Sequence, residues 1–160
     1  MTRLRKVVRL LGSILLVNII GSIGAIFTSP AISNWYSTLN KPSFTPPSWV
    51  FAPAWTLLFT LMGISLFLIW DKGVETKEFK IALLVFGIQL FFNVLWSVLF
   101  FALRAPGYAF AEIIVLWILI LLNIILLYRI SKKAGLLLVP YICWVSFAAI
   151  LNYSIWVLNI

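Results

Sequence analysis

Five long apolar runs, separated by short polar or proline-rich stretches, organise this chain. They cover roughly residues 6–27, 46–70, 79–103, 106–128 and 134–158. A helix needs about 20 mostly apolar residues to cross ~30 Å of hydrocarbon, and each run meets that length. The pattern predicts an all-α, polytopic membrane protein: one domain over residues 1–160, a bundle of five transmembrane helices. So little lies outside the bilayer that a soluble catalytic or nucleic-acid-binding domain has no room, and function is expected in the bundle or its loops. Arg3, Arg5, Lys6 and Arg9 precede the first run as in a signal peptide, with Ala25 as the cleavage residue. The run's length and the four spans that follow favour a membrane helix instead. Gly21 and Ala25, four apart, give that helix a small-residue face for close packing.

Between the first two runs lies WYSTLNKPSFTPPSWVFAPAW, Trp35 to Trp55, with three Trp and four Pro. Each Pro fixes φ near −65° and removes a backbone donor, so such a loop holds its shape without a hydrogen-bond ladder. Thr45 before Pro46 and Pro47 reads as an N-cap with Pro at the first helical positions, starting a helix that carries Trp49 and Trp55.

Composition sharpens the class. The chain is 64% hydrophobic and 10% charged with a mean hydropathy of +1.13, against about 25% charged in soluble domains. Ten of its basic residues fall at the N-terminus, between Lys72 and Lys80, or between Arg129 and Lys133; the other side holds Lys41 and Arg104. The positive-inside rule then places the N-terminus in the cytoplasm, the C-terminus outside and the Pro-rich loop on the outer face. The net charge of +8 is a topology signal, and basic residues spread along membrane edges do not suit nucleic acid. With no His, one Cys and four acidic residues, the usual ligands for zinc, haem or an iron–sulfur cluster are missing. The expectation is no metal and no cofactor. Cys143 is expected to be a small buried apolar residue.

Polar residues inside spans are costly unless paired or facing a cavity. In the third span Gln89, Asn93, Trp96, Ser97 and Phe100 share one helical face; in the fifth, Tyr141, Trp144, Ala148 and Asn152 form a second stripe. Pro140 and Pro53 stand just before Tyr141 and Trp55, where each can bend its helix. Together these faces suggest a mostly aromatic pocket with a few amides to orient a ligand, although ordinary helix–helix contacts are the competing reading. Trp35, Trp49, Trp70 and Trp156 lie near span ends and suit an interfacial belt, whereas Trp55, Trp96, Trp117 and Trp144 are deeper. Glu112, inside the fourth span, is expected to be protonated or paired with Arg104 or a neighbouring helix.

The loop sequence, followed by GIQLFFNVLWSVLFF, AEIIVLW and VPYICWVSFAAILNYSIWVLN, resembles the TspO/MBR family of tryptophan-rich sensory and translocator proteins over nearly the whole chain. The resemblance implies a five-helix bundle, commonly homodimeric, whose cavity beneath the first loop binds tetrapyrroles such as protoporphyrin. Isoquinoline-carboxamide and benzodiazepine-type drugs, and in animal members cholesterol, are further family ligands. It carries Trp35, Tyr36, Trp55, Asn93 and Trp144 into the pocket and matches Trp55 and Trp144 to the pair associated with porphyrin photodegradation. Phe44, Ala52 and Phe59 depart from the family's usual Trp, Gly and Tyr. Leu151 and Tyr153 begin a cholesterol-recognition pattern, but Val157 stands where animal members have Arg, which argues against cholesterol.

The expected ligand set is therefore Trp35, Tyr36, Lys41, Trp55, Gln89, Asn93, Trp96, Ser97, Phe100, Tyr141, Trp144 and Ala148. The expected partners are a porphyrin or related hydrophobic small molecule, the lipid bilayer and a second copy of the chain; the expected location is a prokaryotic cell membrane. Ring faces suit stacking against a macrocycle, and Lys41 or Arg104 could meet its propionates. The leading function is a membrane tetrapyrrole sensor or regulator. Its alternatives are a light- and oxygen-dependent porphyrin-degrading enzyme using Trp55 and Trp144, and a transporter. An odd number of short helices without an inverted repeat ranks transport below sensing.

Overall fold

A computed structural model describes residues 3–72 and 76–160. Helix α1 (Arg3–Ser33) leads through two 3-10 turns, Tyr36–Thr38 and Ser48–Val50, into α2 (Phe51–Asp71). Then come α3 (Lys77–Ser97), prolonged by a π-helical turn at Val98–Ala102, α4 (Pro106–Ile130), the short α5 (Lys132–Leu136) and α6 (Val139–Leu158). Five helical segments, Arg3–Ser33, Ser48–Asp71, Lys77–Ala102, Pro106–Ile130 and Lys132–Leu158, are long and apolar enough to cross a membrane. The predicted spans are all present, and the protein is an integral membrane protein.

Helix α1 packs on α2 and α3, while α4 packs on α3 and α6 and α5 fills the corner between α2 and α4. Val17, Met62, Ile69, Phe86, Ile113, Leu116, Ile120 and Tyr141 meet at the centre. Leu11, Leu15, Ile19, Ile23 and Ile26 on α1, and Ile114, Ile118, Leu122 and Ile125 on α4, point outward. These outer stripes recur at three- or four-residue spacing, as expected of helix faces solvated by lipid.

Polar side chains in α1 are absorbed by the helix itself. Ser13, Ser22 and Thr28 donate to the carbonyls of Arg9, Asn18 and Gly24, and the Asn18 amide donates to Ile14. Such back-bonding removes the unsatisfied donor that hydrocarbon would penalise. In α4, by contrast, Glu112 is buried and neither carboxyl oxygen has a hydrogen-bond partner. Arg104 does not reach it: exposed, with φ of 52°, it turns the chain between the π-helical turn and α4. Among the described residues the one ion pair is Lys6–Asp71, 3.0 Å, joining the ends of α1 and α2.

Proline and Thr45 act differently from expectation. The Thr45 hydroxyl donates to the Pro42 carbonyl and caps nothing; Pro47 occupies the N-cap position of the second 3-10 turn, and α2 begins only at Phe51. Trp49 therefore sits in that turn, exposed, and only Trp55 rides on the α-helix. Pro53 and Pro140 are the third and second residues of α2 and α6. There the first-turn N–H groups have no intrahelical acceptor to lose, so these prolines start helices and do not bend them. Cys143 is exposed on the outer face of α6, because its neighbours Tyr141 and Val145 take the buried positions.

Candidate functional site

A cavity of about 220 Å³ opens in the half of the bundle beneath the Pro-rich loop, where α1, α2, α3 and α6 diverge. Aromatic rings dominate its wall: Tyr36 from the loop, Phe51, Trp55 and Phe59 from α2, Trp96, Phe100 and Phe101 from α3 and its π-helical extension, and Trp144 and Phe147 from α6. The rings hold one another in edge-on and stacked pairs. Trp55 stacks on Phe59 at 5.4 Å and meets Trp144 edge-on at 6.4 Å, while Trp96 stacks on Phe100 at 5.2 Å. Each such pair adds about 0.5–1.5 kcal/mol beyond area burial, so the wall is preorganised.

The π-helical turn shapes this wall. Leu103 N–H donates to the Val98 carbonyl at 2.9 Å, five residues back. Successive residues of an ordinary α-helix diverge by about 100°; the widened turn lets both Phe100 and Phe101 point inward, each buried. Such bulges are frequent at functional sites.

A second layer fixes the polar groups. Asn93 Nδ2 donates to Tyr141 Oη at 2.9 Å, and Tyr141 Oη donates to Gln89 Oε1 at 3.0 Å. Trp96 Nε1 donates to Asn152 Oδ1 at 3.0 Å, and Asn152 Nδ2 donates to the Pro106 carbonyl at 2.7 Å. The Trp96 indole N–H and both ends of the Asn152 amide are thus already engaged. Groups left free for a ligand include the Asn93 carbonyl oxygen, the Ser97 hydroxyl, the Trp55 and Trp144 indole N–H groups and the Tyr36 hydroxyl. The last is buried against the cavity without a partner. Burial pushes the Tyr36 phenol up to about 12, since the phenolate would lose its hydration.

The loop is fastened over the cavity at two points. Lys41 Nζ donates to the carbonyls of Tyr36, Ser37 and Leu39 and lies 5.1 Å from the Tyr36 ring centre. Asn40 N–H donates to Asn159 Oδ1, and Asn159 Nδ2 donates back to the Asn40 carbonyl, both at 2.9 Å. The second clasp ties the loop to the end of α6.

Of the twelve residues expected in the site, Tyr36, Trp55, Asn93, Trp96, Ser97, Phe100, Trp144 and Ala148 line the cavity. Four do not. Trp35 packs edge-on against the back of Phe100 at 5.6 Å; Lys41 is committed to the loop carbonyls; Gln89 and Tyr141 are fully buried behind Asn93. Arg104, the other expected cation, is exposed and away from the cavity wall. The whole contribution of α1 was missed: Asn18, Gly21, Ser22, Ala25, Thr28 and Ser29 form one wall. Their spacing of three and four residues is the signal that could have found them. Gly21 faces Phe59 so closely that a Cβ there would fall 2.3 Å from the ring. Ser22, Ala25 and Ser29 of α1 and Ala52 and Thr56 of α2 are exposed cavity residues, so the cavity reaches the bilayer through the seam between those helices.

Comparison with known proteins agrees with this architecture. The model of the TspO/MBR family matches residues 13–157. The chain is 44% identical over 140 residues to the tryptophan-rich protein TspO of Chlorobaculum tepidum, covering 88% of this chain and 89% of that one. It is also 44% identical over 154 residues to the tryptophan-rich protein TspO of Archaeoglobus fulgidus, covering 96% and 99%. Over 146 residues it is 34% identical to the translocator protein of Bos taurus, covering 91% and 86%.

Proposed function

This chain belongs to the TspO/MBR family, and from that membership we propose that its cavity binds a flat, amphiphilic tetrapyrrole such as protoporphyrin and that the protein acts as a membrane sensor or regulator of that ligand. The observation that carries this reading is the wall of paired aromatic rings interrupted by polar groups, among them Tyr36, Asn93 and Ser97. Ring faces suit a macrocycle, while the polar atoms suit its edge. Nothing in the site offers a nucleophile with a base beside it, which suits a receptor. The cavity is smaller than the roughly 300–1,000 Å³ usual for drug-sized ligands, so a macrocycle must widen it along the α1–α2 seam. Entry from the bilayer by the same route follows. The outer-face position of the loop, a prokaryotic cell membrane and a homodimer complete the proposal.

A second reading rests on the Trp55–Trp144 contact at 6.4 Å. Two oxidisable indoles beside a light-excited porphyrin, with dioxygen as oxidant, would make the protein a photodegrading enzyme. One experiment addresses both. Protoporphyrin is titrated into the protein in lipid nanodiscs, with Trp quenching followed in the dark and porphyrin absorbance followed under illumination. Saturable quenching that weakens in Trp144→Phe supports the receptor; its absence removes the tetrapyrrole function and leaves the fold intact. Protein-dependent bleaching to a defined product, lost in Trp55→Phe/Trp144→Phe while dark binding persists, supports the enzyme. Unchanged turnover in that double variant refutes it.

A further inference from the structure

We propose that the hollow where α2, α4 and α5 meet, at the opposite end of the bundle from the aromatic cavity, binds the phosphate of an anionic phospholipid headgroup. Its walls bring together Lys72 from the turn after α2, Arg129 from the last turn of α4 and Lys132 and Lys133 from α5, with Ser131 and Tyr128 between them. Arg129, Lys132 and Lys133 are close in sequence, whereas Lys72 comes from a distant part of the chain and joins them only through the packing of α5 against α2 and α4. A general topology signal needs no convergence: Arg3, Arg5 and Arg9 satisfy it while strung along a single exposed helix.

The geometry also holds one of the charges in place. Lys72 Nζ donates to the Ile130 carbonyl at the end of α4, which pins its ammonium at the rim. Among the described residues, the acidic side chain adjacent to Lys72 in sequence, Asp71, is paired with Lys6. Four like charges around one depression repel one another until an anion enters. At a membrane edge the abundant anion is a lipid phosphodiester. Ser131 and Tyr128 add hydroxyl donors, and Arg129 adds a planar fork suited to phosphate oxygens. The exposed apolar side chains of Leu136 and Val139 nearby in sequence would be continuous with the acyl chains of a lipid so placed.

The test uses the full chain in a neutral detergent, titrated with dioctanoyl-phosphatidylglycerol, with retained lipid counted by native mass spectrometry. Dioctanoyl-phosphatidylcholine and inorganic phosphate are the comparison probes. Each basic side chain near an anionic lipid surface contributes about fivefold in affinity. Arg129→Gln/Lys132→Gln/Lys133→Gln should therefore weaken phosphatidylglycerol binding by about a hundredfold, and at least about tenfold after screening by salt. Arg3→Gln/Arg5→Gln/Arg9→Gln, which removes the same charge from the same end of the bundle, should change it less than about twofold. Lys132→Gln alone, expected to cost about fivefold, keeps the test readable should the triple variant not fold. Equal losses in the two triple variants, or equal affinity for phosphatidylcholine, would overturn the proposal. Displacement of the lipid by inorganic phosphate at matching concentration would also overturn it, by showing a site for free anions.

Discussion

Two glycines of the same sequence type should respond in opposite ways to the same substitution. A Cβ added to Gly63 on α2 would lie 2.5 Å from the Ile14 Cα and 3.0 Å from the Ser13 carbonyl oxygen. Comfortable carbon–carbon contact needs about 3.5–4.0 Å. Gly63→Ala must therefore drive α1 from α2 by roughly 1–1.5 Å, because the obstructing atoms are backbone and cannot rotate away. Overpacking costs about 1–3 kcal/mol, and contact with backbone puts this case near the upper end. Better helix propensity returns about 1 kcal/mol. The net expectation is a loss of about 2 kcal/mol. At Gly87 on α3 nothing lies within 4 Å of the added Cβ, so Gly87→Ala keeps only the propensity gain and stabilises by up to about 1 kcal/mol. Reversible unfolding in mixed micelles, followed by circular dichroism, would measure both. Since α1 and α2 share a cavity wall, Gly63→Ala should also alter ligand affinity, read by Trp quenching. A Gly63→Ala protein as stable as Gly87→Ala would refute the close α1–α2 crossing.

Three other perturbations probe the site. Tyr141→Phe removes the hydroxyl joining Asn93 to Gln89; it should cost about 1–2 kcal/mol, within the range for polar contacts in membranes, and weaken ligand binding through a loosened Asn93, as unfolding and quenching titrations would reveal. Burial raises the Tyr36 phenol to about 12, above the ordinary value near 10. Its protonated form is thus favoured by the folded state: the stabilisation is complete below pH 10 and is lost as pH rises from 10 towards 12. Unfolding measured across that window should show a decline that Tyr36→Phe flattens, and an identical decline in the variant would assign it elsewhere. Asn159→Ala deletes the reciprocal clasp on Asn40; stopped-flow quenching should then show faster ligand association and dissociation with a small change in equilibrium affinity, whereas unchanged rates would mean that the loop does not gate the cavity.

Sequence reading went furthest where a requirement is local. A polar side chain at membrane depth must be satisfied or face a cavity, so the Gln89–Asn93–Trp96–Ser97–Phe100 stripe announced a special face of α3 before any contact was known. It could not say which member turned into the cavity and which behind it. Gln89 and Asn93 lie one helical turn apart, yet Tyr141 engages both and leaves only Asn93 at the wall. Lys41 was attractive as a ligand cation because cations are scarce on that side, but the loop closes around its ammonium and engages it with carbonyls. The α1 wall escaped notice because its Ser, Thr, Gly and Ala residues also serve helix packing. Only the divergence of α1 from α6 shows that this face borders space.

What the sequence by itself determined is the class: five apolar runs of spanning length, a biased distribution of basic residues and a tryptophan-rich pattern specify a membrane bundle of the TspO/MBR kind. Hydrophobic length and helical periodicity are properties of neighbouring residues, so they need no knowledge of the fold. The tertiary structure alone decided that Gly63 meets a backbone while Gly87 meets none, that Trp96 points its N–H at Asn152, and that Asn159 clasps a loop 119 residues away. Each depends on which helices approach and at what rotation, and that is settled by how all five pack together at once.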